Sequence, residues 1–173
     1  MSLRQSPIAH AAKQTEFGGW EMPVEFDSIR AEHTAVRQAV GKFDVSHMGE
    51  ITVSGPDAAR LLQRLTTNDV EALDPGEAQY GAITTEAGIM LDDVVVYNLP
   101  ESAEYLFVPN AGHDEQMYDR CVTHRERWSL AATITNRTEA YAMIAVQGPD
   151  SSSTLGSHTD VGLEAPPRFG RTA

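Results

Sequence analysis

The strongest constraint on the fold is a unit that occurs twice. ITVSGPDAARLL, from Ile51, and IAVQGPDSSSTL, from Ile144, each run from an alternating apolar strand through Gly-Pro-Asp into a helix start, 93 positions apart. Proline near the first helical position and an acid in the first turn both suit a helix N-terminus. Matching flanks on both sides of the tripeptide point to duplication of a small strand–turn–helix module, and so to an α+β fold. A chain of 173 residues, 41% of them hydrophobic, suits one large domain or two small ones sharing a core. The expected division is residues 1–50 plus 140–173 as a first unit, incomplete at its C-terminus, and 51–139 as a second α+β module. Antiparallel sheets with helices on their outer faces are expected in both.

Around the repeat, the remaining elements follow from local signals. EFGGWEMPVEF reads as a turn-rich aromatic segment. DSIRAEHTAVRQAVG predicts a helix capped by Asp27 or Ser28, with Ile29, Val36 and Val40 on one stripe and Gly41 as its stop. Ile51 and Val53 alternate with polar residues as in a half-buried strand, and AARLLQRLTTND predicts the next helix. Strands are predicted over 78–84, 90–98 and 104–109, a helix over 112–128, and further strands over 130–136 and 141–147. Beyond Asp150 come a poor helix, a turn, a proline pair and FGRTA, which reads as the start of another strand; a longer protein is expected to contain this chain.

Composition excludes several function classes. The formal charge is −12, from 25 acids against 13 bases, which argues against nucleic-acid binding. With Lys13 and Lys42 as its lysines, the chain has the distributed acidic surface that suits a high-salt cytoplasm. No apolar run approaches the ~20 residues of a membrane span, and MSLRQSPIAHAAKQ lacks a signal-peptide core. Cys121 is the single cysteine, and His10, His33, His47, His113, His124 and His158 show no metal-ligand spacing, so no metal is expected. A cytoplasmic location follows.

The stretch most suggestive of chemistry is GIMLDDVVVYN, Gly88 to Asn98. Alternation puts Met90, Asp92, Val94, Val96 and Asn98 on one strand face, and Leu91, Asp93, Val95, Tyr97 and Leu99 on the other. Only one carboxylate can then face a given cavity, and periodicity alone does not choose between two equally apolar faces. FDVSHM, Phe43 to Met48, offers Asp44, Ser46 and His47 as a hydrolase constellation, but no G-x-S-x-G elbow accompanies it.

FGGWEMPV at 17–24, EHTAVR at 32–37, FDVSHM at 43–48, GIMLDDVVVY at 88–97 and VPNA at 108–111 occur in order. Together they resemble the N-terminal half of the T proteins of the glycine cleavage system, the tetrahydrofolate-dependent aminomethyltransferases. The resemblance implies transfer of an aminomethyl group from the lipoyl arm of the H protein to tetrahydrofolate, with release of ammonia. It implies Asp93 as the key acid beside the folate, with Met48, Tyr80, Val95, Tyr97, Val108 and Asn110 at the other matching pocket positions. Asp92 becomes the strand's polar entry or a support residue. Two departures stand out. The family's C-terminal barrel domain is expected to be absent from these 173 residues, and Ile89 follows Gly88 where the family has a second glycine, which predicts strain if that position needs a positive φ. Alternatives within the same fold are the folate module of a demethylating oxidase, a non-catalytic folate-binding or assembly protein, and an inactive fragment. Arg120, Arg125 and Arg127 on the 112–128 helix are candidates for a basic patch toward the H protein, or for an ordinary solvated face.

Overall fold

The computed structural model of the protein describes residues 13–99 and 102–158. Among the described residues the chain forms two compact units, one of residues 13–47 together with 140–158, the other of those between Met48 and Glu139.

The first unit opens with a hairpin, β1 (Lys13–Phe17) and β2 (Trp20–Glu25), joined at Gly18-Gly19. The reading of this region as turn and aromatic segment missed both strands: KQTEF carries no apolar alternation, and that of Trp20, Met22 and Val24 in β2 is interrupted by Pro23. Helix α1 (Ile29–Gln38) follows, its N-terminus capped by the Ser28 hydroxyl, which accepts from the Ala31 amide at 3.2 Å. No residue of α1 is buried, and Ile29 is 62% exposed. The expected apolar stripe is therefore not a core face within the described residues. The helix ends at Gln38, and Gly41 serves as the first residue of β3 (Gly41–Asp44). Strand β3 pairs antiparallel with β9 (Ile144–Gln147), which leads into α4 (Ser151–Gly156).

The second unit is a five-stranded antiparallel sheet backed by two helices. Its strands are β4 (Ile51–Ser54), β5 (Ala78–Thr84), β6 (Met90–Leu99), β7 (Glu104–Val108) and β8 (Thr133–Asn136), in the order β5-β6-β7-β4-β8. Helices α2 (Ala58–Leu65) and α3 (Asp114–Arg127) contribute Leu61, Leu62, Leu65, Met117 and Cys121 to a core shared with Ile51, Val53, Ile83, Val94, Val96, Phe107 and Ile134. In α2 the buried Ala58, Leu61, Leu62 and Leu65 fall at the spacing of one helical face. Ile51, Thr52 and Val53 are all buried, so β4 is covered on both faces and not half-exposed as its alternation predicted. Among the described residues no helix is long and apolar enough to cross a membrane.

The duplicated module is visible in backbone geometry. In one copy β4 runs through Gly55 (φ +101°) into α2, and in the other β9 runs through Gly148 (φ +131°) into α4. The Asp57 amide donates to the Ala131 carbonyl at 3.2 Å, and the Asp150 amide to the Ala39 carbonyl at 3.0 Å. Each carbonyl lies two residues before the partner strand, β8 or β3. A Cβ on Gly55 would sit 2.9 Å from Ala131 O, and one on Gly148 would sit 2.3 Å from Ala39 O. Both glycines thus answer a positive φ and a close backbone crossing at once.

Helix α2 stops at Leu65, short of the predicted TTND extension, because the following residues have another task. Thr66 bridges Ile83, the Thr67 amide donates to Ala82 O at 3.0 Å, and the Ala82 amide donates back to Thr67 Oγ1 at 3.0 Å. This segment covers the otherwise open edge of β5.

Helix α3 ends in a Schellman-type turn, with Ser129 N–H donating to Glu126 O and Leu130 N–H to Arg125 O, both at 3.0 Å. Ser129 occupies the left-handed region at φ 53°, where a Cβ costs about 1–2 kcal/mol against a glycine entropy cost of roughly 0.5–1 kcal/mol. Ser129→Gly is expected to raise the unfolding free energy by about 0.5–1 kcal/mol, read from urea denaturation midpoints at unchanged slope.

Candidate functional site

Strand pairing sorts the residues around the two aspartates. Antiparallel partners share a face, so Tyr80, Val95 and Val108 form one row across β5, β6 and β7. Ala78, Tyr97 and Leu106 form the next row, and Ala82 pairs with Asp93. Asp92, Val94 and Val96 are buried on the opposite face, toward the helices. A register shift then alters the alternation: Ile83 pairs with Asp92, but Thr84 pairs with Met90, leaving Leu91 as the extra residue of a bulge. Met90 consequently joins the face of Asp93. Strict period-two reading had grouped it with Asp92, and that assignment is corrected here.

The two carboxylates meet at one side chain. Asn110 Nδ2 lies 2.8 Å from Asp92 Oδ1, 2.8 Å from Asp93 Oδ1 and 3.1 Å from the Asp93 carbonyl oxygen. The Asn110 amide also donates to Asp92 Oδ2 at 3.0 Å, and the Asp93 amide to Asp92 Oδ1 at 3.1 Å. His113 Nδ1 stands 3.2 Å from Asp92 Oδ2, at ion-pair distance without hydrogen-bond alignment. Asp92 is 5% exposed, so it is no solvated strand entry but a buried acceptor ringed by donors.

Asp93 is only partly buried, and Tyr80 donates its hydroxyl to Asp93 Oδ2. That hydrogen bond holds the Asp93 carboxyl below the usual carboxylate range; burial opposes it and the Asn110 donor reinforces it. The same contact pushes the Tyr80 phenol above its ordinary value, and burial does so for Tyr97. Asp93 is therefore an ionised carboxylate at neutral pH.

An open cleft of about 360 Å³ adjoins this carboxylate. Tyr80, Asp93 and Met90 line it, together with Thr67, Asn68, Gly81 and Ala82. Tyr80 is 52% and Met90 63% exposed, so an apolar rim flanks the acid. Asn68 Nδ2 donates to Tyr80 O and fixes the lip beside it. Of the residues singled out in the sequence, Tyr80 and Asp93 line the cleft directly. Val95, Tyr97 and Val108 share the face but lie farther along the strands, and Asn110 bonds to Asp93. Met48 is half-buried in the bend before β4; its neighbour Gly49 donates to Pro109 O at 3.1 Å. Thr67, Asn68, Gly81 and Ala82 carried no expectation and Met90 was expected on the opposite face; the polar TTND run directly after an apolar helix was the available signal for the first two.

Three other expectations change. Gly88 carries the positive φ of its turn (+80°), and Ile89 does not. The Ile89 amide donates to Thr85 Oγ1 at 3.1 Å while its side chain is exposed, so the departure at Ile89 introduces no backbone strain. Ser46 is buried and bonded to the backbone of Met143, accepting from its N–H at 3.1 Å, while His47 packs edge-on against Phe17. The hydrolase constellation of FDVSHM is thus not assembled. The α3 arginines are engaged within the chain: Arg120 donates to Thr84 O at 2.7 Å, Arg125 pairs with Glu126 at 3.0 Å, and Arg127 pairs with Glu86 at 2.5 Å. They form no free basic patch.

Similarity to known proteins agrees with this arrangement. The GCVT N-terminal domain family matches residues 3–171. A "Probable aminomethyltransferase" of Haloarcula marismortui is 65% identical over 98% of this chain and 48% of its own length. An "Aminomethyltransferase" of Lysinibacillus sphaericus is 46% identical over 94% of this chain and 45% of its own length. The crystal structure of glycine cleavage system aminomethyltransferase T from Bartonella henselae superposes with a TM-score of 0.80 at 26% identity, over 95% of this chain and 45% of that one. The chain spans about half the length of the relatives it matches. On its sheet order, its paired aspartates and these similarities, the chain belongs to the GCVT N-terminal domain family.

Proposed function

We propose that this chain supplies the reacting acid of an aminomethyltransferase of the glycine cleavage system, which passes the one-carbon unit from the aminomethyl-dihydrolipoyl arm of an H protein to tetrahydrofolate and releases ammonia. The observation that carries this reading is a carboxylate, Asp93, held ionised at the edge of an apolar-rimmed cleft on the five-stranded sheet. The relatives named aminomethyltransferase support it over a demethylating oxidase or an assembly role.

The donor set fits the proposed substrate. Tetrahydrofolate presents N–H groups along one edge of its ring, and Asp93 is an acceptor with an apolar neighbour in Met90. In the overall exchange two folate N–H bonds give way to two bonds to the methylene carbon. One proton ends on the departing ammonia and the other on the lipoyl thiol. Cationic character develops at the carbon and nitrogen as ammonia leaves, and the Asp93 carboxylate offsets that charge. As an ionised carboxylate it can stabilise that charge and can take up a proton as the new carbon–nitrogen bond forms. Tyr80 and Asn110 orient it, and the pre-set geometry avoids reorganisation at the moment of reaction.

The test is 5,10-methylenetetrahydrofolate formation from aminomethyl-H protein, measured on the longest native product that carries this chain. Asp93→Asn is expected to lower kcat/KM by about 100-fold or more, and a wild-type rate in this variant would contradict the proposal.

Tyr80→Phe offers a second check, through the pH dependence of stability. A carboxyl whose folded-state pKa is depressed contributes stability above its ordinary value, 3.8 here, and loses that contribution as pH falls through the depressed value. Tyr80→Phe removes the leading cause of the depression. The stability difference between wild type and variant is expected to be constant from neutral pH down to about 5 and to shrink below the ordinary carboxyl value, as read from thermal midpoints across pH.

A further inference from the structure

We propose that Asp92 is a positioning residue for this reaction: it acts through the Asn110 side-chain amide, which it orients so that one N–H is presented to the carboxylate of Asp93. The proposal rests on Asp93 being the acid of the reaction, and it explains why the strand opens with two adjacent aspartates.

Asn110 is gripped at two points by the two oxygens of one buried carboxylate. Its backbone N–H reaches Asp92 Oδ2 at 3.0 Å, and its Nδ2 reaches Asp92 Oδ1 at 2.8 Å. A side-chain amide otherwise has a broad, two-fold choice at its terminal torsion. Here a flip would turn the amide oxygen toward two carboxylates. With one Nδ2 hydrogen committed to Asp92, the other is left for Asp93 Oδ1 at 2.8 Å. Asp92 itself is placed by burial, by the Asp93 amide at 3.1 Å and by His113 at 3.2 Å from the start of α3. The chain of contacts therefore runs from the core, through Asp92 and Asn110, to the acid in the cleft.

Substituting Asp92 by asparagine separates this role from a simple electrostatic one. Both Asp92 oxygens accept from Asn110, so either orientation of an amide at position 92 sets an NH₂ against an Asn110 donor. If Asp92 acted only as a nearby negative charge, removing it would ease ionisation of Asp93 and lower its titration midpoint. Acting through Asn110, the same substitution loosens the donor on Asp93 and raises the midpoint. The two mechanisms predict opposite signs. The titratable groups around Asp93 are Tyr80 from β5, Asp92 on its own strand and, through Asp92, His113 from α3.

The experiment is an NMR titration of aspartate side-chain carboxyl carbons in the native protein, with the Asp93 resonance identified by its loss in Asp93→Asn. Asp92→Asn and Asn110→Ala are each expected to raise the Asp93 midpoint by about one pH unit, with no further rise when the two are combined. The acid limb of kcat/KM should move in the same direction. A midpoint that falls or stays unchanged in Asp92→Asn overturns the proposal. Should that variant fail to fold, Asp92→Glu decides: it keeps the charge and displaces it by one methylene, so a raised midpoint upholds positioning through Asn110 and an unchanged one overturns it. The titration needs no folate. Missing transferase activity would therefore count against the proposed function while leaving this result readable.

Discussion

One amide group holds the site together. Asn110 stands between a buried carboxylate and a cleft-facing one, and its Nδ2 lies 2.8 Å from each. Two adjacent aspartates on a strand are separated by the pleat, which sends their side chains to opposite faces. A side chain at the sheet's end can reach both faces and tie the two carboxylates together. Asn110 does so because it follows directly on β7, after Val108 and Pro109, where the pairing of Val95 with Val108 brings the chain alongside Asp93. Sheet register, strand length and the turn into α3 all bear on this meeting point.

A buried carboxylate such as Asp92 is costly unless its oxygens are satisfied. Here the cost is met by donors from Asn110 and the Asp93 backbone, with His113 adjacent. The same donors that make Asp92 tolerable in the interior fix the residue that contacts Asp93. Stability and site geometry are thus coupled through one set of hydrogen bonds. Asp93, by contrast, keeps one side toward the cleft, and its second oxygen is taken by the exposed Tyr80. It is anchored on its inner side and accessible on its outer one.

Much of this was legible in the sequence, and the failures have physical causes. Period-two alternation separated Asp92 from Asp93 correctly, because the Val94–Val96 face is dry and strand pleating is rigid there. It misplaced Met90, because a bulge at Leu91 is a two-strand event that one strand's pattern does not contain. The Gly-Pro-Asp echo exposed the duplication, since its glycines are required by backbone crossings that recur in both copies. In the hairpin at Lys13–Glu25, β1 was missed because KQTEF is mostly polar and exposed, and the alternation of Trp20, Met22 and Val24 in β2 was passed over because Gly18-Gly19 and Pro23 read as a turn. The Asn110 bridge lay beyond reach for another reason: 17 positions separate it from Asp93, and only the β6–β7 register brings them together.

Under the proposed function, the cleft beside Asp93 receives the N–H-bearing ring of tetrahydrofolate. Mapping backbone amide shifts during titration with tetrahydrofolate would locate that binding. Perturbations are expected to concentrate at Thr67, Asn68, Tyr80 to Ala82, Met90 and Asp93, with Asn110 moving in step with Asp93. Saturable binding whose perturbations leave these residues untouched would contradict that placement.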